Sequence, residues 1–326
     1  MKSVKIMGTG SYVPQKIITN RELEERGLSN DAWIVKNVGI KERHIASGDQ
    51  ATSDLAVEAG IRAIKDAGLS IKDVDLIIVA TSTPDRPCPS TSCIVQKKLK
   101  AFQAAAFDLA AVCAGFIYGF SVASGLIISG MYENVLVIGA DTFSKITDWK
   151  SRDCVYFGDG AGAAVLSSCE KGNGLLSFYL AADGRGCDDF TIWAGGSEEP
   201  ASIETINKGK HYFFMDGKAV FESATKVIPM SIKKVLAEAG LNVGDIDWVI
   251  PHQPNINILK FCADDLGLPF EKVMINLDRY GNTAAGTVPI ILDETVKSGR
   301  IKPGDIVVLT GVGAGWTWGS AIIKWV

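Results

Sequence analysis

The stretch AGLSIKDVDLIIV at residues 67–79 returns with few changes as AGLNVGDIDWVIP at residues 239–251. Six of the thirteen residues are identical, and the two copies start 172 positions apart. In each copy a glycine ends an amphipathic helical pattern, and an apolar run typical of a buried strand follows an acidic turn. The repeat therefore predicts that the chain is built from two halves with the same plan.

Two further pairs of segments support this duplication. The run ENVLVIGAD has a counterpart in GDIVVLTGV, and FGDGAGAAVLSS matches GAGWTWGSAIIKW, each in the same order in its half. Alternation of helices and strands at this spacing is typical of right-handed βαβ units, whose functional sites lie at the carboxyl ends of strands. We therefore expect an α/β protein with mostly parallel mixed sheets, divided into halves 1–172 and 173–326 that are related by a pseudo-twofold axis.

The composition argues against several classes of protein. The 326 residues carry a net charge of −4 without blocks of Lys and Arg, so we expect no binding to nucleic acid. Seven cysteines without a Cys-x-x-Cys pair argue against a disulfide framework and against a metal site. The N-terminus does not read as a signal peptide, and the glycines and serines of the apolar stretch 110–131 favour a buried helix over a membrane span. We expect a cytoplasmic protein with reduced thiols.

A single thiol, that of Cys113, lies in the apolar stretch FDLAAVCAGFIYGFSVASG at residues 107–125. A buried free cysteine usually packs as an inert small side chain. If a helix begins near Cys113, however, its unpaired N–H groups and the positive end of its dipole should lower the pKa of the thiol and make it reactive. The repeat aligns Asp108 with Asp278 and Cys113 with Asn282, so the two strand-to-helix turns should face each other.

Two polar residues and a glycine-rich bend are candidate partners of this thiol. His252 follows an apolar strand in VIPHQPN and is placed for proton transfer, and Asn282 in RYGNTAAG can donate from its amide. A structural histidine and a simple Gly-Asn turn are the alternatives. The segment GVGAGWTWG does not fit a dinucleotide fingerprint because a strand pattern follows it, but backbone N–H groups around Ala314 could form an oxyanion hole.

Together, DLAAVCAGF, VIPHQPN and NLDRYGNTAAGTVP followed by GVGAGWTWGSAIIKW resemble β-ketoacyl-acyl-carrier-protein synthase III, a condensing enzyme of the thiolase superfamily. The resemblance covers the whole chain, including GTGSYVP, DAWIVKNVGIKERHI and FGDGAGAAVL. It implies a five-layered αβαβα thiolase fold and a homodimer. It also implies a catalytic triad of Cys113, His252 and Asn282, with the backbone N–H groups of Cys113 and Ala314 as the oxyanion hole.

The resemblance further implies a reaction of fatty acid biosynthesis that needs no metal or redox cofactor. An acyl-CoA primer would acylate Cys113 in a ping-pong first half, and a malonyl thioester on acyl carrier protein (ACP) would then decarboxylate and attack the acyl group. His252 and Asn282 would donate hydrogen bonds to the malonyl thioester oxygen. Trp33, Arg152 and Asn255 would belong to the CoA-binding site.

Several positions depart from the family pattern. Asparagine stands at residues 37 and 257, where the family commonly has arginine. Basic residues that receive the acidic carrier protein near the channel mouth are replaced by Glu222, Asp264 and Asp265. Because loss of positive charge weakens the attraction to an acidic partner, we expect this chain to dock its carrier differently or to use another thioester carrier. The docking surface is thus atypical at Asn257, Glu222, Asp264 and Asp265.

Cys88 in DRPCPSTSC replaces an aromatic residue that, in the family, reaches across the dimer to the floor of the acyl pocket. The smaller side chain predicts acceptance of primers longer than acetyl, unless neighbouring residues refill the space. The alternative activity on this scaffold is transfer of the acyl group from Cys113 to an oxygen, nitrogen or non-standard carbon nucleophile, as in a secondary-metabolite pathway. A non-enzymatic binding role is the third reading.

Overall fold

The computed structural model describes residues 2–326 of the chain. Its strands are β1 (Lys2–Tyr12), β2 (Lys16–Thr19), β3 (Glu42–Ile45), β4 (Leu76–Ala80), β5 (Ala105–Leu109), β6 (Asn134–Thr142), β7 (Asp159–Glu170), β8 (Gly174–Ala182), β9 (Phe190–Ile192), β10 (Phe213–Met215), β11 (Trp248–Pro251), β12 (Ile306–Gly313) and β13 (Thr317–Lys324). Its α-helices are α1 (Asn20–Glu25), α2 (Asp31–Asn37), α3 (Thr52–Asp66), α4 (Thr91–Leu99), α5 (Gly115–Ile128), α6 (Ile203–Asn207), α7 (Gly217–Ala239), α8 (Ile256–Leu266), α9 (Leu277–Tyr280) and α10 (Thr287–Lys297).

Two sheets form the centre of the molecule and repeat one another. The strand order is β1-β7-β6-β4-β5 in the first sheet and β8-β13-β12-β11 in the second. An isolated bridge from Val249 of β11 to Val273 takes the place that β5 has in the first sheet. The glycine of each repeat copy ends a helix in the left-handed region, with φ 69° at Gly68 after α3 and φ 70° at Gly240 after α7. The duplication predicted from residues 67–79 is confirmed.

The expectation of mostly parallel sheets is wrong, although the sheets are mixed as predicted. In these two sheets β4 pairs in parallel with β5 and β6, and β11 pairs in parallel with β12. The other pairings, β1–β7, β6–β7, β12–β13 and β8–β13, are antiparallel. The glycine-rich bends explain the difference, because β13 begins at Thr317, directly after the bend that follows Gly313, and so short a connection can join only antiparallel neighbours.

The elements form the five αβαβα layers implied by the resemblance. Helices α3 and α4 cover the outer face of the first sheet, α7 and α8 cover the outer face of the second, and α5 and α10 lie between the sheets. Helix α5 is apolar on nearly all sides and mostly buried, and Phe116 and Phe120 are fully buried in a core that includes strands of both sheets. Within residues 2–326, no helix combines the length and hydropathy required to span a bilayer. The expected division at 172/173 falls in the turn between β7 and β8.

The two central helices begin with the same unusual backbone conformation. Val112 has φ 46° and Ala284 has φ 48°, and each opens a short 3₁₀ turn that leads into α5 or α10. The two turns pack against each other, as the repeat predicted. When the two turns are aligned by backbone conformation, Val112 corresponds to Ala284. Cys113 then corresponds to Ala285, three residues after the Asn282 with which the sequence repeat aligned it. The two alignments differ because Asp108 lies in strand β5, whereas its sequence counterpart Asp278 lies in helix α9.

Candidate active site

Five of the residues proposed from sequence line one pocket. Cys113, His252, Asn282, Asn255 and Ala314 contribute to its wall, although they come from both halves of the chain. The pocket lies where the turns before α5 and α10 meet the loop after β11 and the bend after β12. It is the arrangement expected at the carboxyl ends of parallel strands.

Cys113 is a buried, neutral thiol, contrary to the expectation from the helix dipole. Burial, with a smaller contribution from the nearby Asp141 carboxylate, raises the pKa of Cys113 far above its usual range. The backbone N–H of Cys113 opposes this shift only partly. Desolvation of the sulfur therefore outweighs the positive end of α5, and a proton acceptor would be needed to convert this thiol into a nucleophile.

His252 supplies such an acceptor. Its backbone N–H donates to the carbonyl oxygen of Thr310 at 2.8 Å, which fixes the residue at the end of β11 against β12. Its Nδ1 lies 2.6 Å from Oγ1 of Thr287. Burial lowers the pKa of His252 to about 3, so the imidazole is neutral near pH 7. A neutral imidazole in the pocket of a neutral thiol can take the thiol proton.

Asn282 is held by its backbone and by its side-chain oxygen. Its backbone N–H donates to the carbonyl of Tyr156 at 3.0 Å, and its carbonyl accepts from the N–H of Gly158 at 3.0 Å. Its Oδ1 accepts from the N–H of Ala284 at 2.8 Å. Because this bond identifies the amide oxygen, Nδ2 is the atom that remains for a substrate, and it can only donate.

Two glycines at the end of β12 bring that strand directly against the Cys113 turn. A Cβ on Gly313 would lie 2.5 Å from the carbonyl oxygen of Ala111 and 2.9 Å from the nitrogen of Cys113. A Cβ on Gly311 would lie 3.5 Å from the carbonyl oxygen of Cys113. The close approach places Ala314 at the pocket, and in the described part of the chain its N–H donates to no backbone carbonyl. The N–H of Cys113 likewise donates to no backbone carbonyl among residues 2–326, so both N–H groups are available as hydrogen-bond donors.

An aromatic cluster beside Cys113 was missed by the sequence reasoning. The ring of Phe157 stacks on Phe143 with centroids 4.5 Å apart and meets Phe213 edge-on at 4.9 Å, while Phe190 stacks on Phe213 at 5.6 Å. Cys113 belongs to the same apolar cluster. These residues are scattered over seventy positions of sequence, and only the pairing of β9 with β10 brings two of them together. The resulting apolar wall suits the hydrocarbon part of an acyl group.

The residues proposed for CoA lie beside this pocket and are linked to it by asparagines. The guanidinium of Arg152 stacks over the ring of Trp33 at 3.9 Å. The side-chain amides of Asn255 and Asn257 both donate to the carbonyl oxygen of Asn37, at 2.8 and 3.0 Å, at the end of α2. The polar atoms of Asn255 and Asn257 therefore tie α8 to the helix that carries Trp33. The Asn257 side chain is half-buried and its amide donates within the chain, while its place in the docking surface stays a prediction.

The acidic residues proposed for carrier docking are exposed, and two of them are paired. Glu222 lies 3.8 Å from Lys218, and Asp265 lies 2.8 Å from Lys233, whereas Asp264 has no ion-pair partner among residues 2–326. Exposed pairs of this kind reduce the local negative charge but contribute little to stability.

Cys88, the residue proposed for the acyl pocket, is also exposed, and it does not line the pocket of its own chain.

Two family models match the chain. Residues 107–184 match 3-oxoacyl-[acyl-carrier-protein (ACP)] synthase III, and residues 236–325 match the C-terminal part of the same family. The chain is 53% identical to the β-ketoacyl-[acyl-carrier-protein] synthase III of Caldanaerobacter subterraneus, over 98% of this chain and 97% of that protein. It is 49% identical to the corresponding protein of Desulfitobacterium hafniense, over 100% of this chain and 98% of that protein.

Solved structures give the same result. The structure of β-ketoacyl-[acyl-carrier-protein] synthase III from Thermus thermophilus matches with a TM-score of 0.92 and 39% identity, over 99% of each chain. That of 3-oxoacyl-[acyl-carrier-protein] synthase III from Aquifex aeolicus matches with a TM-score of 0.90 and 39% identity, over 99% of this chain and 100% of that one. The chain, with its thiol, imidazole and amide gathered at two facing turns, belongs to the β-ketoacyl-[acyl-carrier-protein] synthase III family of condensing enzymes.

Proposed function

We propose that Cys113, His252 and Asn282 carry out the ping-pong condensation of this family, with an acyl-CoA as primer and a malonyl thioester on ACP as extender. The observation that carries the proposal is the meeting of these three side chains at one pocket lined on one side by phenylalanines. A neutral thiol, a neutral imidazole and an amide donor match what the two half-reactions need.

In the first half-reaction the sulfur of Cys113 attacks the thioester carbonyl of the primer. Its proton passes to Nε2 of His252, since Nδ1 is already bonded to Thr287. The carbonyl oxygen becomes an oxyanion, which accepts hydrogen bonds from the N–H groups of Cys113 and Ala314. Each such donor lowers a barrier of this kind by about 3 kcal/mol. Collapse of the tetrahedral intermediate breaks the bond to the CoA sulfur and leaves an acyl thioester on Cys113.

In the second half-reaction the malonyl thioester loses carbon dioxide and becomes an enolate. The thioester oxygen gains the negative charge, and Nδ2 of Asn282 and the protonated Nε2 of His252 donate hydrogen bonds to it. The enolate carbon attacks the acyl carbonyl, and the sulfur of Cys113 leaves to give a β-ketoacyl thioester. The chain's own side chains supply the nucleophile, the proton acceptor and the donors, so the scheme contains no metal or redox cofactor.

For the CoA primer, we propose that the nucleotide binds at Trp33 and Arg152. Their face-to-face contact offers an aromatic and a cationic surface to a purine and its phosphates. We assign Asn255 to the wall of the channel, where its carbon atoms rather than its amide would meet the pantetheine, since both of its amide atoms are bonded within the chain.

We propose a homodimer in the cytoplasm. Strand β5 is one of the two edge strands of the first sheet, and Phe107 on this strand and Phe102 just before it are 37% and 70% exposed. An exposed edge strand with apolar side chains offers unpaired backbone groups to a second chain, which supports the proposed dimer. The seven cysteines are free, which suits a reducing compartment.

In the dimer we assign Cys88 to the acyl pocket of the partner, where its small side chain admits primers beyond acetyl. Competition between acetyl-CoA and hexanoyl-CoA tests this assignment, and a strong preference for acetyl would contradict it.

Malonyl-dependent release of carbon dioxide tests the proposed reaction against plain acyl transfer. We expect carbon dioxide and a β-ketoacyl thioester in equal amounts when the acylated enzyme meets malonyl-ACP. Release of the acyl group to water, an alcohol or an amine without carbon dioxide would instead support a transferase. The Cys113→Ala variant is the control, because it should form neither the acyl-enzyme nor the condensation product.

A further inference from the structure

The hydroxyl of Thr287 makes two short contacts deep beside the pocket. Its Oγ1 lies 2.8 Å from the carbonyl oxygen of Ala284 and 2.6 Å from Nδ1 of His252. Thr287 and His252 are each only 2% exposed, so both side chains are shielded from bulk solvent. The mechanism outlined above uses only the fact that this hydroxyl occupies Nδ1 of His252, and it assigns no proton to either contact.

The protons in these two contacts can be assigned from the chemistry of the atoms. A carbonyl oxygen only accepts, so the contact between Thr287 and Ala284 needs the hydroxyl proton. The hydroxyl has only one proton, and it can therefore only accept from His252. The 2.6 Å contact then needs a proton on Nδ1. The opposite arrangement would leave two oxygens 2.8 Å apart with no proton between them.

We propose that Thr287 is a positioning residue that holds His252 in the tautomer with the proton on Nδ1 and thereby leaves Nε2 free to receive the proton of Cys113. This inference rests on the proposed function for its consequences in catalysis, but the tautomer itself is a property of the free protein. The tautomer of a histidine is commonly set by the hydrogen bond that its second nitrogen makes.

The assignment gives a complete proton balance for both half-reactions. The Cys113 S–H bond breaks, its proton binds Nε2 of His252, and the departing CoA thiolate takes a proton from water. The protonated Nε2 then donates a hydrogen bond to the enolate oxygen of the malonyl unit. When the Cys113 sulfur leaves the condensation product, it recovers the same proton from Nε2, and the free enzyme is restored.

The backbone of Ala284 connects Thr287 to Asn282, the third polar residue of the site. Its carbonyl takes the hydroxyl proton of Thr287, and its N–H donates to Oδ1 of Asn282 at 2.8 Å. The backbone of one residue therefore orients the histidine through Thr287 and the asparagine directly. The left-handed conformation of Ala284, with φ 48°, is costly for a residue with a side chain, and this double role gives a reason for it.

The variant Thr287→Val removes the hydroxyl at nearly constant volume. Without an acceptor at Nδ1, the neutral ring should favour the tautomer with the proton on Nε2. We expect acylation of Cys113 by acetyl-CoA to slow by about 10²-fold, a usual effect of losing a proton acceptor. Decarboxylation of malonyl-ACP without primer should not fall, because the donor on Nε2 is then already present. Thr287→Ser should retain both rates.

Thr295→Val is the matched control on the same helix. The hydroxyl of Thr295 is also buried, but it donates only to the carbonyl of Ile291 at 2.6 Å. This variant should lose stability as Thr287→Val does while keeping both half-reactions. Equal slowing of acylation and decarboxylation in Thr287→Val, or no effect on either, would overturn the proposal.

Nitrogen-15 NMR of the three histidines, with His252→Gln used to assign the signal, reads the tautomer directly. We expect a protonated Nδ1 in the free wild-type protein and a shift towards protonated Nε2 in Thr287→Val. A protonated Nε2 in the neutral wild-type ring would refute the inference whatever the enzyme's activity. Absence of an acyl adduct on wild-type Cys113 would refute the proposed function instead.

Discussion

Cys113 and His252 form a pair in which neither side chain is charged in the free protein. Burial raises the pKa of the thiol and lowers that of the imidazole, so no preformed thiolate–imidazolium pair is stable there. In the proposed mechanism, the reactive sulfur is therefore generated only as its proton moves to His252. This distinguishes the site from cysteine enzymes whose thiolate is stabilised beforehand by a neighbouring cation or a helix terminus.

At the residue scale, Asn282→Ala should separate the two half-reactions. The amide donates only to the malonyl thioester oxygen in our scheme, so the rate of Cys113 acylation should stay within about threefold of wild type, a free-energy change below about 1 kcal/mol. Condensation should slow by about 10²- to 10³-fold, the usual effect of losing one oxyanion donor. Single-turnover kinetics measure the rate of acylation and the rate of condensation separately. His252→Ala is the contrasting variant and should slow both steps, and an equal loss of acylation in both variants would contradict the assignment.

The neutral His252 also predicts a pH dependence of stability. Its pKa is about 3 in the folded chain and near 6.5 in the unfolded chain, so below pH 6.5 the unfolded state binds more protons. The contribution of the neutral imidazole to the free energy of unfolding is therefore fully present above pH 6.5. It is lost as the pH falls towards 3, by up to about 1.4 kcal/mol per pH unit. Urea unfolding between pH 7 and 4 should show a smaller loss for His252→Gln than for wild type. Identical slopes would contradict a buried neutral imidazole.

At the element scale, the end of β12 fixes the distance between the two halves of the site. The Cβ introduced by Gly313→Ala would meet backbone atoms of the Cys113 turn at 2.5 and 2.9 Å, so strand and turn must separate. We expect acylation to slow by about 10²-fold, since small displacements of reacting groups have large effects, and the free energy of unfolding to fall by about 1–3 kcal/mol.

The control for this prediction is Gly125→Ala in α5. No atom lies within 4 Å of a Cβ built on Gly125, and its backbone is helical, so the substitution should stabilise the helix by about 0.5–1 kcal/mol and leave acylation unchanged. Full acylation activity in Gly313→Ala would show that the close approach of β12 is not needed for the site.

The elements of the repeat were predictable because their signals are local. Acidic turns, helix-ending glycines and apolar runs mark α3–β4 and α7–β11 within a few residues. The direction of β7 and β13 was not predictable from hydropathy, since parallel and antiparallel strands in a buried sheet have similar apolar patterns. The pair β9–β10 was also missed, because each strand has only three residues and its partner lies about twenty positions away.

The same contrast applies to the site. Cys113, His252 and Asn282 stand out in sequence because each follows a strand pattern and has a reactive or polar side chain in an apolar setting. The pKa of Cys113 could not be predicted, because it depends on how completely both halves exclude water from the sulfur. The roles proposed for Thr287 and Ala284 were likewise not visible in the sequence, since they depend on single hydrogen bonds within the turn before α10.

At the scale of the whole molecule, the charges near the pocket mouth should control the choice of carrier. Asp264 is exposed on α8 without an ion-pair partner among the described residues, so Asp264→Lys should strengthen binding of a standard acidic ACP by about threefold to tenfold, with a steeper dependence on salt. Stopped-flow binding at two ionic strengths measures this. Glu170→Lys, the same charge change at the far end of β7, should have no effect. Tight, salt-sensitive binding that Asp264→Lys does not improve would contradict the proposed docking mode.

The central claim is that one sulfur first accepts the acyl group and then gives it to a decarboxylated malonyl unit. The intact mass of the protein, followed in time, tests this most directly. Acetyl-CoA should add one acetyl group, located on Cys113 by fragmentation, and malonyl-ACP should then remove it at the rate at which β-ketoacyl-ACP appears. An acetyl group on another residue, or an adduct on Cys113 that persists in the presence of malonyl-ACP, would contradict the account.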